Sequence, residues 1–121
     1  MARIAILLHA EPGAHDSMGR AAHSLVYALE LKENGHQVKL IFDGGGTGWV
    51  PELNKEDHVL HPLFLEVRDA GLIAASCDFC IGAFGVDKQK VQEAHVPIVA
   101  EYMGHPSVAK LINEGYQVIT L

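Results

Sequence analysis

Cysteine, aromatic side chains and long apolar runs are all scarce in this chain of 121 residues. There are two cysteines and one tryptophan, and aromatic residues make up 7% of the sequence. No segment approaches the roughly 18–20 apolar residues of a transmembrane helix, so a membrane-spanning protein is not predicted. The apolar run Ile4 to Leu8 is too short for an export signal and predicts a first β-strand that is covered on both faces.

Basic residues are also few: 9 Lys and Arg stand against 15 Asp and Glu, for a net charge of −6. A nucleic-acid partner is therefore not expected, because a phosphate backbone is bound by clustered Lys and Arg. No basic amphipathic helix indicates a membrane-surface protein. Two closely spaced cysteines without an export signal favour a reducing compartment, so a cytoplasmic location is predicted.

What the sequence does contain is a regular alternation of apolar runs with segments of helical spacing. Asp16 or Ser17 is expected to cap the first of these helices with a side-chain oxygen. The alternation predicts one α/β domain over residues 1–121, with a mainly parallel five-stranded sheet and helices on both faces. The five predicted strands are Ile4–Leu8, Gln37–Phe42, Leu72–Ser76, Pro97–Ala100 and Tyr116–Thr120.

Unusual residues follow four of the predicted strands. Because binding sites of parallel sheets form at the carboxyl ends of their strands, these residues are expected to share one site. A need for tight turns explains glycine at these positions but not cysteine, histidine and acidic residues together. Besides Cys77 and Cys80, the residues predicted to line this edge of the sheet are His9, Glu11, Asp43, Gly44, Gly45, Trp49, Glu101 and His105.

Cys77 and Cys80 form a Cys-x-x-Cys pair at a predicted strand-to-helix junction. A thiol at a helix N-terminus is expected to have a lowered pKa, because the thiolate faces unpaired backbone N–H groups. The pair could cycle between dithiol and disulfide, accept a persulfide sulfur, or supply two metal ligands. Burial as two small apolar residues is the alternative. A thioredoxin-type site is disfavoured, because that motif follows the first strand and this pair follows the third.

Two other patterns in the sequence contain residues typical of binding sites. His58 and His61 could complete a zinc site, but they precede a helix at the opposite edge of the sheet, and solvent-exposed or capping roles are favoured. The glycine-rich segment Gly44 to Gly48 lacks the Gly-Lys-Ser/Thr ending of a P-loop. A tight turn that folds Trp49 back onto the sheet is favoured there, with an anion-binding nest as the alternative.

A resemblance to a known family is carried by four segments: Phe42–Trp49, Cys77–Val86, Glu101–Ser107 and Gly115–Thr120. Together with them, nearly the whole chain resembles the DsrE/DsrF-like family, and within it a group of small uncharacterised bacterial and archaeal proteins. The resemblance implies a five-stranded α/β sandwich of flavodoxin-like appearance that assembles into trimers or hexamers. It also implies that Cys77 matches the cysteine on which some members carry a persulfide, whereas Cys80 lies outside that general pattern.

The leading hypothesis is a cytoplasmic sulfur-handling protein with no cofactor and with a sulfur donor or acceptor protein as partner. Cys77 would accept the persulfide and Cys80 would act as the second thiol, while Glu101 and His105 would tune the thiolate. A non-catalytic module that binds a small molecule or a protein is the first alternative. A metal site on Cys77, Cys80 and a nearby histidine is the second.

Overall fold

A five-stranded parallel sheet forms the centre of the protein, in a computed structural model that describes all residues 1–121. Every neighbouring pair of strands is parallel, and their order across the sheet is β4-β3-β2-β1-β5. The predicted flavodoxin-like α/β sandwich is therefore confirmed, although β4 is two residues long and shorter than expected. The strands are β1 (Arg3–Leu8), β2 (Gln37–Phe42), β3 (Ile73–Cys77), β4 (Ile98–Val99) and β5 (Gln117–Thr120).

Six α-helices and one 3₁₀ helix, Gly44–Gly48, connect the strands. The chain steps outward from β1 to β4 and then returns to place β5 on the other side of β1, so right-handed crossovers put the last helix on its own face. None of the helices has the length and apolar character needed to cross a membrane. They are α1 (Ser17–Glu33), α2 (Trp49–Leu53), α3 (His61–Asp69), α4 (Asp78–Ala83), α5 (Lys88–Glu93) and α6 (Val108–Asn113).

The two faces of the sheet are covered unequally. On one face, α1 to α5 contribute to a core of 20 buried residues. On the other face, Leu111 of α6 joins a core of only 5 buried residues. Helices on both faces are confirmed, but a single helix of 6 residues covers the second face.

Helix α1 ends as its sequence predicts but begins differently. At its end, Gly35 has a φ of 84° and its N–H donates to the carbonyl of Lys32. At its start, Asp16 has the left-handed φ of 62° and its side chain caps no backbone N–H. Its carboxylate instead accepts from Arg20 at 3.3 Å, and the Ser17 hydroxyl donates to the carbonyl of Ala14. The predicted cap is wrong, because an N-cap side chain reaches the first amides from an extended backbone.

The register of the sheet brings the ends of its central strands together. Leu8 at the end of β1 lies opposite Phe42 at the end of β2, and Phe42 lies opposite Ser76 in β3. The residues that follow, His9, Asp43 and Cys77, therefore emerge side by side at the carboxyl edge of the sheet.

Candidate functional site

Cys77 stands at the junction of β3 and α4, where its sequence predicts it. It has an extended backbone and occupies the N-cap position, so that its Sγ accepts the N–H of Cys80 at 3.4 Å. Cys80 follows within the first turn of α4. Both cysteines are free and buried, with exposed fractions of 0% for Cys77 and 6% for Cys80.

The imidazole of His105 contacts both sulfur atoms. Its Nδ1 lies 3.1 Å from the Sγ of Cys77 and 3.7 Å from the Sγ of Cys80. His105 closes a tight turn with Tyr102, in which the N–H of each residue donates to the carbonyl of the other at 2.9 Å. A histidine in contact with two thiols can take a proton from either of them.

Phe79 and Gly104 fix the position of this turn, and the sequence did not single out either of them. The N–H of Phe79 donates to the carbonyl of Gly104 at 3.0 Å, and the centroids of the Phe79 and His105 rings lie 4.8 Å apart. Gly104 has a φ of 82°, and a Cβ there would lie 3.0 Å from the Cβ of Phe79. A glycine next to a histidine in a predicted strand-end loop was the available signal.

Asp43 completes the group from the end of β2. One carboxylate oxygen, Oδ1, accepts the N–H of Gly44 at 2.9 Å and lies 3.5 Å from the Sγ of Cys80. The other, Oδ2, lies 3.2 Å from the Nε2 of His9. These contacts, with the His9 hydrogen bond as the largest cause, lower the pKa of Asp43 to about 2 against the opposing effect of burial. Asp43 is therefore a carboxylate at neutral pH.

The pKa of the Cys77 thiol is raised, not lowered. Burial is the main cause and brings this pKa to about 12, while the N–H of Cys80 acts in the opposite direction. The side chain of Cys80 and the carboxylate of Asp43 raise the pKa further. The prediction of a lowered pKa is wrong, because one turn of helix offers a single N–H to a sulfur atom that has lost contact with water. A thiolate at Cys77 therefore requires a base that takes the proton.

Asp43, Cys77, Cys80 and His105 are called the thiol cluster below. Each offers one ligand atom, and these four atoms all lie within 4.8 Å of one another. Such a group of two sulfur atoms, one nitrogen and one oxygen could hold a metal ion. A pocket of about 480 Å³ opens beside the cluster. The residues that line this pocket are Asp43, Tyr102, Met103, His105, Pro106, Ser107, Val108 and Ala109.

Six residues predicted for this edge lie outside the thiol cluster, namely His9, Glu11, Gly44, Gly45, Trp49 and Glu101. The Glu101 carboxylate accepts the N–H of Ser107 at 2.8 Å and pairs with Lys110 at 3.1 Å, so it supports the start of α6. The hydrogen bond from Ser107 is the main reason that the pKa of Glu101 is lowered. The Trp49 side chain is packed in the larger core, and Glu11 is exposed.

The glycine-rich segment is a 3₁₀ helix whose glycines allow close packing on β1. A Cβ on Gly46 would lie 1.8 Å from the carbonyl oxygen of Leu8, and a Cβ on Gly45 would lie 2.7 Å from the Cβ of Glu11. The favoured interpretation as a turn is confirmed, and the segment leads Trp49 into the core. Gly44 and Gly45 therefore set the path of the backbone beside Asp43.

The two histidines weighed as zinc ligands have structural roles. The Nδ1 of His58 accepts the N–H of Leu60 at 3.0 Å, and the Nδ1 of His61 lies 2.8 Å from the carbonyl oxygen of Leu53. Neither belongs to the thiol cluster. Both side chains therefore bind backbone groups between the end of α2 and the start of α3.

The fold and the site describe a small parallel α/β protein that buries a Cys-x-x-Cys pair at the end of its third strand. The chain belongs to the DsrE/DsrF-like family, whose model matches residues 2–121. It is 33% identical over 99 residues to an uncharacterised protein of Methanocaldococcus jannaschii, a match that covers 82% of this chain and 78% of the relative.

A solved structure shares the fold. The structure is that of a conserved protein of unknown function from Bacteroides thetaiotaomicron, which superposes with a TM-score of 0.69 at 20% sequence identity. The match covers 98% of this chain and 94% of that one. At this identity the similarity establishes the common architecture only.

Proposed function

We propose that the protein handles sulfur by accepting a persulfide sulfur on Cys77. The observation that carries this proposal is the distance of 3.1 Å between the Sγ of Cys77 and the Nδ1 of His105. Membership of the DsrE/DsrF-like family supports it, because sulfur relay is a role suggested for that family. In this proposal His105 acts as a base and activates the Cys77 thiol, a role that the sequence predicted for the helix N-terminus.

In the proposed step, the Nδ1 of His105 takes the proton of the Cys77 thiol. The thiolate attacks the outer sulfur of a donor persulfide, and a new sulfur–sulfur bond forms at Cys77. The sulfur–sulfur bond of the donor breaks, and its electron pair leaves on the donor thiolate, which takes up the proton. The step needs the His105 tautomer that carries its proton on Nε2, and it involves no net oxidation.

Cys80 allows a second reaction of the persulfide on Cys77. Its Sγ lies within 4.8 Å of the Sγ of Cys77, and His105 is within reach of its proton. Attack of Cys80 on the Cys77 sulfur forms a disulfide and releases the outer sulfur as sulfide. The two thiols supply the two electrons for that release, so an external dithiol must reduce the disulfide before the next cycle.

Access to Cys77 requires movement of the turn from Tyr102 to His105. The side chain of Cys77 is fully buried, and this turn lies between it and the adjoining pocket. Tyr102 and Met103 are exposed, at 66% and 76%, and so little packing holds the outer side of the turn. A donor protein could displace the turn from this side.

The proposal is tested by incubating reduced protein, in chelator, with glutathione persulfide and measuring its intact mass. We expect Cys80→Ser to gain the mass of one sulfur atom, and Cys77→Ser, which keeps Cys80, to gain none. His105→Gln should load at least about 100-fold more slowly, the loss typical of a missing general base. Equal loading of Cys77→Ser and Cys80→Ser would refute the assignment.

A non-catalytic binding module is the second candidate, and the raised pKa and burial of Cys77 favour it. Alkylation separates the two candidates. A binding module should leave Cys77 as slow to react as any buried thiol, whether or not His105 is present. A sulfur carrier should react with iodoacetamide at a rate that falls in His105→Gln.

We further propose that residues 1–121 work as a single cytoplasmic domain within a homo-oligomer. The thinly covered face of the sheet carries exposed apolar side chains on α6, with exposed fractions of 49% for Val108 and 56% for Ile112. Val108 and Ile112 are four residues apart and lie on one side of α6. A second copy of the chain would cover them, as the family resemblance implies for trimers or hexamers.

A further inference from the structure

We propose that the thiol cluster also binds one zinc ion, through both cysteine sulfur atoms, the imidazole of His105 and the carboxylate of Asp43. The four ligand atoms come from different parts of the chain, namely the end of β2, the end of β3, the first turn of α4 and the turn before α6. This inference does not rest on persulfide chemistry and goes beyond it.

The spacing of the ligand atoms fits a tetrahedral ion. With zinc bonds of about 2.0–2.3 Å, neighbouring ligands of a tetrahedral site lie about 3.3–3.8 Å apart. The distances in the thiol cluster are 3.1 Å from Cys77 Sγ to His105 Nδ1, 3.7 Å from Cys80 Sγ to the same nitrogen, and 3.5 Å from Cys80 Sγ to Asp43 Oδ1. No pair exceeds 4.8 Å, so small side-chain shifts complete the site.

The chemistry of the ligands selects the metal. Two sulfur atoms disfavour magnesium and calcium, which take oxygen ligands, while sulfur with imidazole is a set that suits zinc. Both cysteines are buried, and with four protein ligands the ion would keep no open position for substrate. Binding would displace both thiol protons to solvent.

A second layer of hydrogen bonds holds the ligands in place. His9 contacts the Oδ2 of Asp43 at 3.2 Å, which leaves Oδ1 directed at Cys80. The N–H of Cys80 donates to the Sγ of Cys77. Hydrogen bonds of this kind orient the ligands in metal sites, and a group of side chains that is close only by chance would not be expected to have them.

Zinc and the proposed sulfur transfer would compete for the same atoms. A bound ion occupies both sulfur atoms and the Nδ1 of His105, so neither thiol can attack a donor. The ion would also hold the turn from Tyr102 to His105 against α4. Zinc would therefore act as a reversible block on the thiols.

The test begins with reduced, chelator-stripped protein titrated with zinc chloride and, separately, with cobalt chloride. We expect one zinc per chain by calorimetry. The cobalt complex should show the intense ligand-field bands of a tetrahedral ion together with thiolate-to-cobalt charge transfer. Binding of less than about one ion to five chains, or cobalt spectra without charge transfer, would overturn the proposal.

Variants then identify the ligands. Cys80→Ser and His105→Ala should weaken zinc binding more than about 100-fold, and His9→Ala, which removes a supporting contact, about 10-fold. His15→Ala is the matched control, because His15 is exposed and lies outside the cluster, and its affinity should be unchanged. Equal losses in His15→Ala and His105→Ala would count against the site. If a variant fails to fold, the wild-type cobalt spectrum decides.

The two proposals can fail separately. If zinc binds with thiolate charge transfer but chelated protein takes up no persulfide, the zinc site is supported and the sulfur transfer is refuted. If chelated protein loads Cys77 but binds no zinc, the reverse holds. If both succeed, we expect one equivalent of zinc to slow loading at least about 10-fold, since it occupies the attacking sulfur.

Discussion

At the scale of single residues, the Cys77 thiol is subject to two opposing effects. Its place at the N-cap of α4 offers one N–H to the sulfur, which favours the thiolate, while burial favours the neutral thiol. Burial is the larger effect and raises the pKa to about 12. The proton must therefore leave through a neighbouring base, and the closest one is His105, at 3.1 Å.

The raised pKa predicts that Cys77 makes the protein less stable in alkali. Below the ordinary pKa of 9.0 the thiol is neutral in both folded and unfolded chains, and above it only the unfolded chain ionises until about pH 12. The free energy of unfolding should fall across that interval by up to about 1.4 kcal/mol per pH unit. Urea unfolding in chelator measures it, as the difference between wild type and Cys77→Ala. A difference that stays constant from pH 8 to pH 11 would contradict the raised pKa.

Gly104 is expected to matter through its contact with Phe79 as well as through its backbone angle. Gly104→Ala places a Cβ 3.0 Å from the Cβ of Phe79 at a φ of 82°. Gly115→Ala is the matched control, with a φ of 84° and no atom near the new Cβ. In urea unfolding, Gly104→Ala should cost about 1 kcal/mol more than its control. Gly104→Ala should also slow persulfide loading, because the turn that holds His105 shifts. Equal losses of stability in the two variants, together with unchanged loading, would contradict this role of Gly104.

At the scale of elements, the strands and the edge that they share could be predicted from the sequence. Apolar runs and glycine stops locate the strand ends, and a parallel sheet collects those ends at one edge. The common location of residues that end or directly follow a strand can therefore be predicted. His9, Asp43 and Cys77 do lie side by side. His105 joins them from a loop.

Side-chain direction in the loops could not be predicted in the same way. Met103 and Asp16 have positive φ values of 48° and 62°, and a non-glycine residue gives little sign of this in its sequence. Glu101 was expected at the thiols, but the backbone directs its carboxylate to α6. The effect of burial on Cys77 also depends on packing from several elements, which no local pattern contains.

Alanine substitutions at Gly46 in the 3₁₀ helix and at Gly19 in α1 should have opposite effects on stability. Gly46→Ala would place a Cβ 1.8 Å from the Leu8 carbonyl oxygen, which accepts the N–H of Asp43 at 3.0 Å and cannot move away without loss of that hydrogen bond. We therefore expect at least about 3 kcal/mol of destabilisation or no folding. Gly19→Ala in α1 meets no atom within 4 Å and should stabilise by about 0.5–1 kcal/mol. Thermal unfolding of both variants checks this. A tolerated Gly46→Ala would mean that β1 and the 3₁₀ helix are not packed as described.

At the scale of the whole molecule, the uneven covering of the sheet predicts self-association. Five helices pack on one face, and α6 alone covers the other and exposes Val108 and Ile112. An uncovered apolar surface next to a small core is typical of a subunit interface. The thiol cluster lies at the edge of the sheet, close to the start of α6, so assembly could limit access to the pocket.

Ile112→Glu should break this association. Burying the new carboxylate in an apolar interface is costly, so the variant should run as a smaller species than wild type in size-exclusion chromatography with light scattering. Met18→Glu is the control, because Met18 is 46% exposed but lies on α1 at the other face. A monomeric wild type, or an equal effect of the control, would contradict the proposed interface.

The proposed sulfur transfer depends on two atoms: the Sγ of Cys77 accepts the sulfur, and the Nδ1 of His105 takes the proton of the thiol. The most direct measurement is site-mapped mass spectrometry of reduced, chelated Cys80→Ser after brief exposure to one equivalent of glutathione persulfide, with and without His105→Gln. We expect one added sulfur atom on the peptide that contains Cys77, formed much more slowly when His105 is replaced. An unmodified Cys77, or a loading rate that does not depend on His105, would contradict it.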